Sequence, residues 1–165
     1  MLQMVWEHYI MVMETVELGP SLHQQVNDFH LLSAKQEHLS LNDVMGSHGV
    51  LLGFIGNIWH EASVRRILWM QHYLHKFTAL GTPATLLLHE HISTLHGFEI
   101  SSPLPILFPM LADEDGAVHK AYRMDRHPGL LLIDKNRILR QKWLMPSQRV
   151  WPKPREIALA VQDLI

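Results

Sequence analysis

The sequence predicts an α/β domain built on a mixed sheet with helices on both faces. Three observations point there. Gly49 to Ile55 is a near-continuous apolar run, the pattern of a strand buried on both sides rather than one with a wet face. A long amphipathic stretch and a second apolar run follow it, which is the alternation that parallel strands with crossover helices require. Near the C-terminus, two strand-like runs flank Lys135-Asn136, which reads as an antiparallel hairpin. The chain has 165 residues, 47% of them apolar and 18% charged, enough for one sizeable core and too apolar for a disordered chain.

The elements follow in order. Residues 1–18 carry Val5, Tyr9, Val12, Met13 and Val16, a spacing that fits a helix in a composition that fits a strand, so periodicity leaves the two open. They read as an N-terminal extension closed by Gly19-Pro20, with residues 19–165 forming the domain. The methionines of that extension suit either its own core or a subunit interface. Asn27–Leu32 and Leu39–Leu41 read as a small hairpin. Asn42-Asp43 is placed to cap a brief helical turn ending at Gly46.

After the Gly49–Ile55 strand, a helix is expected from about Glu61 to Leu80. Val64, Ile67, Leu68, Leu74 and Phe77 form its apolar stripe, with Trp69 or Met70 alongside. Arg65, Arg66, Gln71, His72 and Lys76 fall outside that stripe. Gly81 and Pro83 end it. Ala84–Leu88 is a strand and Glu90–His96 a weak helix. A short strand lies within Ile106–Leu111, and Ala117–Tyr122 is a short helix behind the acidic turn Asp113–Gly116. Gly129–Asp134 and Arg137–Leu144 pair as the hairpin, with Asn136 suited to a left-handed conformation. Pro146–Pro154 is a linker. Pro154 opens a closing helix whose apolar side is Ile157, Leu159, Ala160, Val161 and Leu164.

Composition excludes several function classes. The chain contains no cysteine, which removes disulfides, thiolate nucleophiles and Cys-ligated zinc or iron–sulfur clusters. A net charge of -2 gives no reason to expect a nucleic-acid or anionic-membrane partner. No run is long enough for a transmembrane helix and no signal peptide is apparent, so the expected compartment is the cytoplasm. The 13 histidines are numerous, but most should be surface or hydrogen-bonding groups. His72 with His75, and His89 with His91, are spaced to share a face. Zinc needs at least three converging ligands, and the spacing does not supply them. No cofactor is expected.

The chain resembles a peroxiredoxin-like redoxin of the alkyl hydroperoxide reductase and thiol-specific antioxidant family, which implies a thioredoxin-like fold. The resemblance runs from about Gly19 to the C-terminus. Val26-Asn-Asp-Phe-His-Leu31 matches the family's Ala-Pro-x-Phe-x-Leu opening. Leu39-Ser-Leu-Asn-Asp-Val-Met-Gly46 matches Val-Ser-Leu-Ser-Asp-Leu-x-Gly. Phe108-Pro-Met-Leu-Ala-Asp-Glu-Asp-Gly116 matches Phe-Pro-Leu-Leu-Ser-Asp-Pro-Asp-Gly, and Ala121-Tyr122 continues it. Pro128-Gly-Leu-Leu-Leu-Ile-Asp134 matches the segment in which a redoxin's cis-proline leads into a strand.

The resemblance places the reactive site at Trp59-His60-Glu61-Ala62-Ser63, where many relatives have Trp-Cys-Pro-x-Cys. His60 then stands at the first cysteine position and Ser63 at the second. Where the resemblance implies a proline seven residues earlier and a threonine or serine three residues earlier, this chain has Gly53 and Asn57. Its active-site arginine would fall near Pro128, with Arg126 close by. Peroxide reduction in such proteins is attack by a thiolate on an O–O bond. Imidazole is a poor substitute and has no sulfenic-acid state to recycle.

Two readings follow. In the first, thiol peroxidase activity is absent and the protein binds a small molecule or a protein partner, with a homodimer as one form of the latter. In the second, His60 acts as an acid/base group or metal ligand supported by Glu61 or Asn57. The candidate site is therefore Trp59, His60 and Ser63, with Asn57, Glu61, Arg126 and Pro128 around them. Arg65 and Arg66 follow directly and are placed either to attract an anion or simply to face solvent.

Overall fold

The computed structural model describes residues 18–145 and 151–165. The N-terminal extension, apart from its last residue, and most of the Pro146–Pro154 linker lie outside the described residues. The elements are β1 (His30–Ser33), β2 (His38–Ser40), α1 (Leu41–Val44), β3 (Gly49–Gly56), α2 (Glu61–Ala79) and β4 (Ala84–Leu88). They continue with α3 (Ile92–Ser101), β5 (Met110–Ala112), α4 (Ala117–Ala121), β6 (Gly129–Asp134), β7 (Leu139–Leu144) and α5 (Pro154–Gln162).

The described strands form one seven-stranded sheet in the order β2-β1-β5-β4-β3-β6-β7. β3 pairs in parallel with β4, and β4 with β5, so each connection must cross the sheet. α2 and α3 are those crossovers. The β1–β2, β1–β5, β3–β6 and β6–β7 pairs are antiparallel, which gives the mixed sheet the sequence predicts.

Strand side chains alternate between faces, and both faces are covered. On one side Leu51 and Ile55 of β3, Leu86 and Leu88 of β4, and Leu130 and Leu132 of β6 meet Ile67, Met70 and Phe77 of α2 and Ile157 and Val161 of α5. On the other, Val50, Leu52, Phe54, Leu87, Leu131 and Ile133 meet Leu41 and Val44 of α1 and Tyr122 just beyond α4. Full burial of each large side chain contributes roughly 1.5–3 kcal/mol.

The helix starts differ from expectation for local reasons. Ser40 caps α1 in place of Asn42-Asp43. Its hydroxyl accepts the Asp43 N–H at 3.3 Å while the Asp43 carboxylate accepts the Ser40 N–H at 2.8 Å, a reciprocal capping box. These bonds, first the Ser40 amide and then its hydroxyl, hold the Asp43 carboxyl below its ordinary pKa. α3 begins at Ile92, two residues later than Glu90, because the His91 ring nitrogen accepts the Ser93 N–H.

Three further readings are corrected. In the β6–β7 turn it is Arg137, at φ 64, that takes the left-handed conformation expected of Asn136. The Asp134 carboxylate accepts the N–H groups of Asn136 and Ile138, which holds Asn136 in the turn and shifts the reversal one residue on. Arg66 is not on the solvated face of α2. It is 2% exposed, with its guanidinium carbon 5.8 Å from the Trp151 ring centroid. The Trp151 indole N–H donates to the Arg66 carbonyl at 3.1 Å. Leu159 of α5 is exposed rather than part of the apolar side. No described helix is long and apolar enough to cross a membrane.

Gly49 and Gly53 lie against close neighbours. At Gly53, the position of the family's proline, a Cβ would lie 2.4 Å from Leu86 Cδ2 and 3.4 Å from the Trp151 ring. At Gly49, with φ +154, a Cβ would lie 2.3 Å from the Ile133 carbonyl oxygen, a backbone atom that cannot yield. Gly49→Ala is therefore expected to lower unfolding stability by about 2 kcal/mol or more, measured by urea denaturation.

Candidate functional site

β3 ends at Gly56, and residues 57–60 deliver the chain to the start of α2. Hydrogen bonds to side chains from elsewhere hold this loop. The Gly56 N–H donates to His119 Nε2 at 3.2 Å, and the Ile58 N–H donates to Glu90 Oε1 at 2.9 Å. The Gly56 carbonyl accepts the His89 N–H at 2.8 Å. Within the loop, the Asn57 side-chain carbonyl accepts the Trp59 N–H at 3.1 Å. The Ser63 hydroxyl donates to the Asn57 main-chain carbonyl at 2.7 Å.

The loop, the first turn of α2 and the segment before β6 enclose a cleft of about 490 Å³. Six of the candidate residues line it: Asn57, His60, Glu61, Ser63, Arg126 and Pro128. Trp59 does not. It is 79% exposed and stands outside the lining. The peptide bond before Pro128 is trans, as are all those described, in contrast to the cis-proline the resemblance implies at this position. Its carbonyl instead accepts the Met145 N–H at 2.8 Å.

The candidate residues separate by chemistry. Ser63 is 1% exposed, and its proton is committed to a carbonyl rather than aimed at a base, so nothing activates it as a nucleophile. His60 is the exposed N-cap residue of α2, and its side chain makes no capping bond. Asn57 acts as a loop staple through both its carbonyls. Among the described residues, no three His, Asp or Glu side chains are grouped to hold a metal ion. His72 and His75 are exposed on α2.

The cleft's charge is mostly guanidinium. Arg65, Arg66 and Arg126 line it with His60 and His127, against the carboxylates of Glu61 and Asp125. Burial, and then the like charge of Arg65, lower the Arg66 pKa from the ordinary arginine value. The first amides of α2 face the same end of the molecule, and a helix N-terminus adds to a positive potential.

Behind the loop lies a pair the sequence reading did not single out. Asp113 and His119 are 1% and 2% exposed. His119 Nδ1 and its main-chain N–H both lie 2.7 Å from Asp113 Oδ2, and Val118 N–H donates to Oδ1 at 3.1 Å. Burial alone raises the Asp113 pKa, but the bonds from His119 and Val118 outweigh it, and the net shift is downward. Asp113 therefore caps α4 and anchors the imidazole that holds Gly56. One histidine among 13, 63 residues from its main-chain partner, gives no local pattern to read. The available signal was an aspartate at a helix entry with a histidine inside that helix's first turn.

With this fold and site in place, the chain belongs to the AhpC/TSA family, whose model matches residues 22–142. A search of curated proteins finds no match. Among solved structures it is similar to the peroxidoxin BcpB from Mycobacterium tuberculosis, at 14% identity and TM-score 0.73, covering 90% of this chain and 99% of that one. It is similar to a cysteine-to-serine mutant of PrxQ from Xylella fastidiosa, at 14% identity and TM-score 0.76, covering 89% and 98%. A putative thiol:disulfide interchange protein DsbE from Chlorobium tepidum matches at 20% identity and TM-score 0.68, covering 91% and 99%. At these identities the structural likeness establishes the thioredoxin-like peroxiredoxin fold. The chain itself has no cysteine.

Two outcomes follow from this geometry. Ser63→Ala removes one buried bond and should cost about 1 kcal/mol of stability in urea denaturation. Because the folded-state Asp113 pKa is lowered, its contribution is fully present above the ordinary aspartate value of about 3.9 and is lost as pH falls through the lower folded value. Asp113→Asn should therefore destabilise by on the order of 2 kcal/mol near neutral pH, with the gap to the natural protein narrowing in denaturation curves taken at pH 3.

Proposed function

We propose that this protein is an AhpC/TSA-family member without thiol peroxidase activity that works by binding a small anion in the cleft at the start of α2. One observation carries the reading: the cleft persists, with three guanidiniums in its lining, while His60 and Ser63 stand where the resemblance places the reactive cysteines. The chemistry removed and the chemistry kept point the same way. Without a thiol there is no group to be oxidised by a peroxide and recycled. The Ser63 hydroxyl is used internally. The lining keeps an excess of positive charge, with Arg65, Arg66 and Arg126 against Glu61 and Asp125, in a chain whose net charge is -2, and such an excess favours anions.

The class of ligand follows from the donors. Guanidinium groups form paired bonds to planar carboxylates and to phosphates. A cleft of about 490 Å³ is within the range that holds a small metabolite. Glu61 and Asp125 sit at the same cleft and disfavour ligands of high negative charge that cannot avoid them. The reading with His60 as a catalytic acid/base or metal ligand gains little from the structure: its side chain makes no capping bond, and no group of three metal-binding side chains is found among the described residues.

Two measurements test this. Purified protein should not consume hydrogen peroxide or an alkyl hydroperoxide with a dithiol reductant, and turnover above a heat-killed control would overturn the reading. At constant ionic strength, inorganic phosphate or succinate should raise Tm. Saturation at a hundredfold excess over Kd adds about 2.7 kcal/mol. The Arg65→Ala, Arg126→Ala double variant should weaken that binding about tenfold or more, in line with loss of charge-assisted bonds. An unchanged Tm with every anion tried, or an unaffected double variant, would contradict it.

A further inference from the structure

The Asp113–His119 pair is outside the cleft lining, yet its far nitrogen holds the strand end from which the cleft's loop departs. We propose that His119 is a positioning residue for the cleft, acting through Gly56. This builds on the reading of the cleft as a ligand site.

Donor and acceptor roles fix the tautomer. A main-chain N–H can only donate, so His119 Nε2, 3.2 Å from the Gly56 nitrogen, must be the unprotonated acceptor. The ring proton then sits on Nδ1 and is donated to Asp113 Oδ2 at 2.7 Å. The carboxylate is held in turn by the N–H groups of His119 and Val118. Both ring nitrogens are thus engaged, and the imidazole cannot flip without breaking a buried bond at each end.

The sheet explains why Gly56 uses an outside acceptor. Pairing of β3 with β6 ends at Phe54 opposite Gly129, and the β3–β4 register shifts between Phe54 and Gly56. An irregularity of this kind turns a main-chain group out of the ladder. A buried N–H so released needs a partner, and the imidazole supplies it. Gly56 itself adopts φ +78, with no atom within 4 Å of where a Cβ would be. Its demand is therefore conformational rather than steric. The Phe54 ring meets His119 edge-on at 5.0 Å and the His89 ring lies 6.1 Å away, so the imidazole is wedged between β3 and the end of β4.

The consequence lies one step downstream. Gly56 fixes Asn57, whose carbonyl receives the Ser63 hydroxyl, and this sets the loop against the first turn of α2. Loss of the Nε2 acceptor frees Gly56, which with Asn57 lines the cleft, so the cleft changes shape although His119 is not part of its lining.

The test combines the natural protein with three variants. In the natural protein, ¹H–¹⁵N correlation of the imidazole nitrogens should show an acceptor-type Nε2 and a protonated Nδ1 on His119. The opposite tautomer would overturn the proposal with no variant needed. In His119→Phe and His119→Ala, Gly56 amide exchange should accelerate and phosphate affinity should fall, each by roughly tenfold, the effect of one buried bond. His119→Gln, which offers a neutral acceptor, should restore both. Unchanged Gly56 protection in a folded Phe or Ala variant, or no rescue by Gln, would contradict it. If the natural protein binds no phosphate, the cleft reading fails, while the tautomer and the Gly56 amide still decide the role of His119.

Discussion

Burial of β3 on both faces is the constraint from which the rest of the structure follows. Val50, Leu51, Leu52 and Phe54 are fully buried, and Ile55 nearly so. A strand of this kind cannot sit at an edge or face water, so it demands neighbours on both sides and helices above and below. The parallel pairing with β4 forces a crossover, and α2 provides it. The cleft sits where the central strand stops, at the point where the chain must turn out of the sheet and begin a helix.

That origin explains how the cleft holds its shape in a chain without cysteine. The loop is shaped by main-chain amides that find acceptors on Glu90, Asn57 and His119, and by the Ser63 hydroxyl on the Asn57 carbonyl. None of these contacts needs a thiol. Ser63 has become a structural donor in the first turn of α2. Arg66 owes its placement to the packing, because it is buried against Trp151 and Trp151 fits beside Gly53. Gly53 and Ser63 are thus integral to the packed structure, whereas His60 stays exposed.

Much of this was legible in the sequence. The apolar run of β3, the stripe of α2 and the hairpin of β6 and β7 are strong periodic signals, and each lies where the pattern places it. The positions of His60, Ser63, Asn57 and Arg126 around one cleft came from local motifs in matching order. What escaped notice is long-range. Arg66 reads as a surface residue on charge alone, since nothing near it in sequence announces that Trp151 will cover it. Asp113 reads as one acid of a turn, and its grip on His119 depends on the depth at which α4 docks. Trp59 reads as part of a site through its place in the Trp59–Ser63 motif, yet the loop turns it outward.

If the cleft offers an electrostatic setting that suits an anion, a thiol placed in it should ionise readily. Because the chain has no cysteine, His60→Cys introduces a single sulfur at the N-cap of α2 that can be titrated without interference by thiolate absorbance. Helix amides and the guanidiniums of Arg65, Arg66 and Arg126 should together favour the thiolate, so a pKa clearly below the ordinary value of about 8.5 is the predicted result. A thiol that titrates at or above that value would contradict the claim.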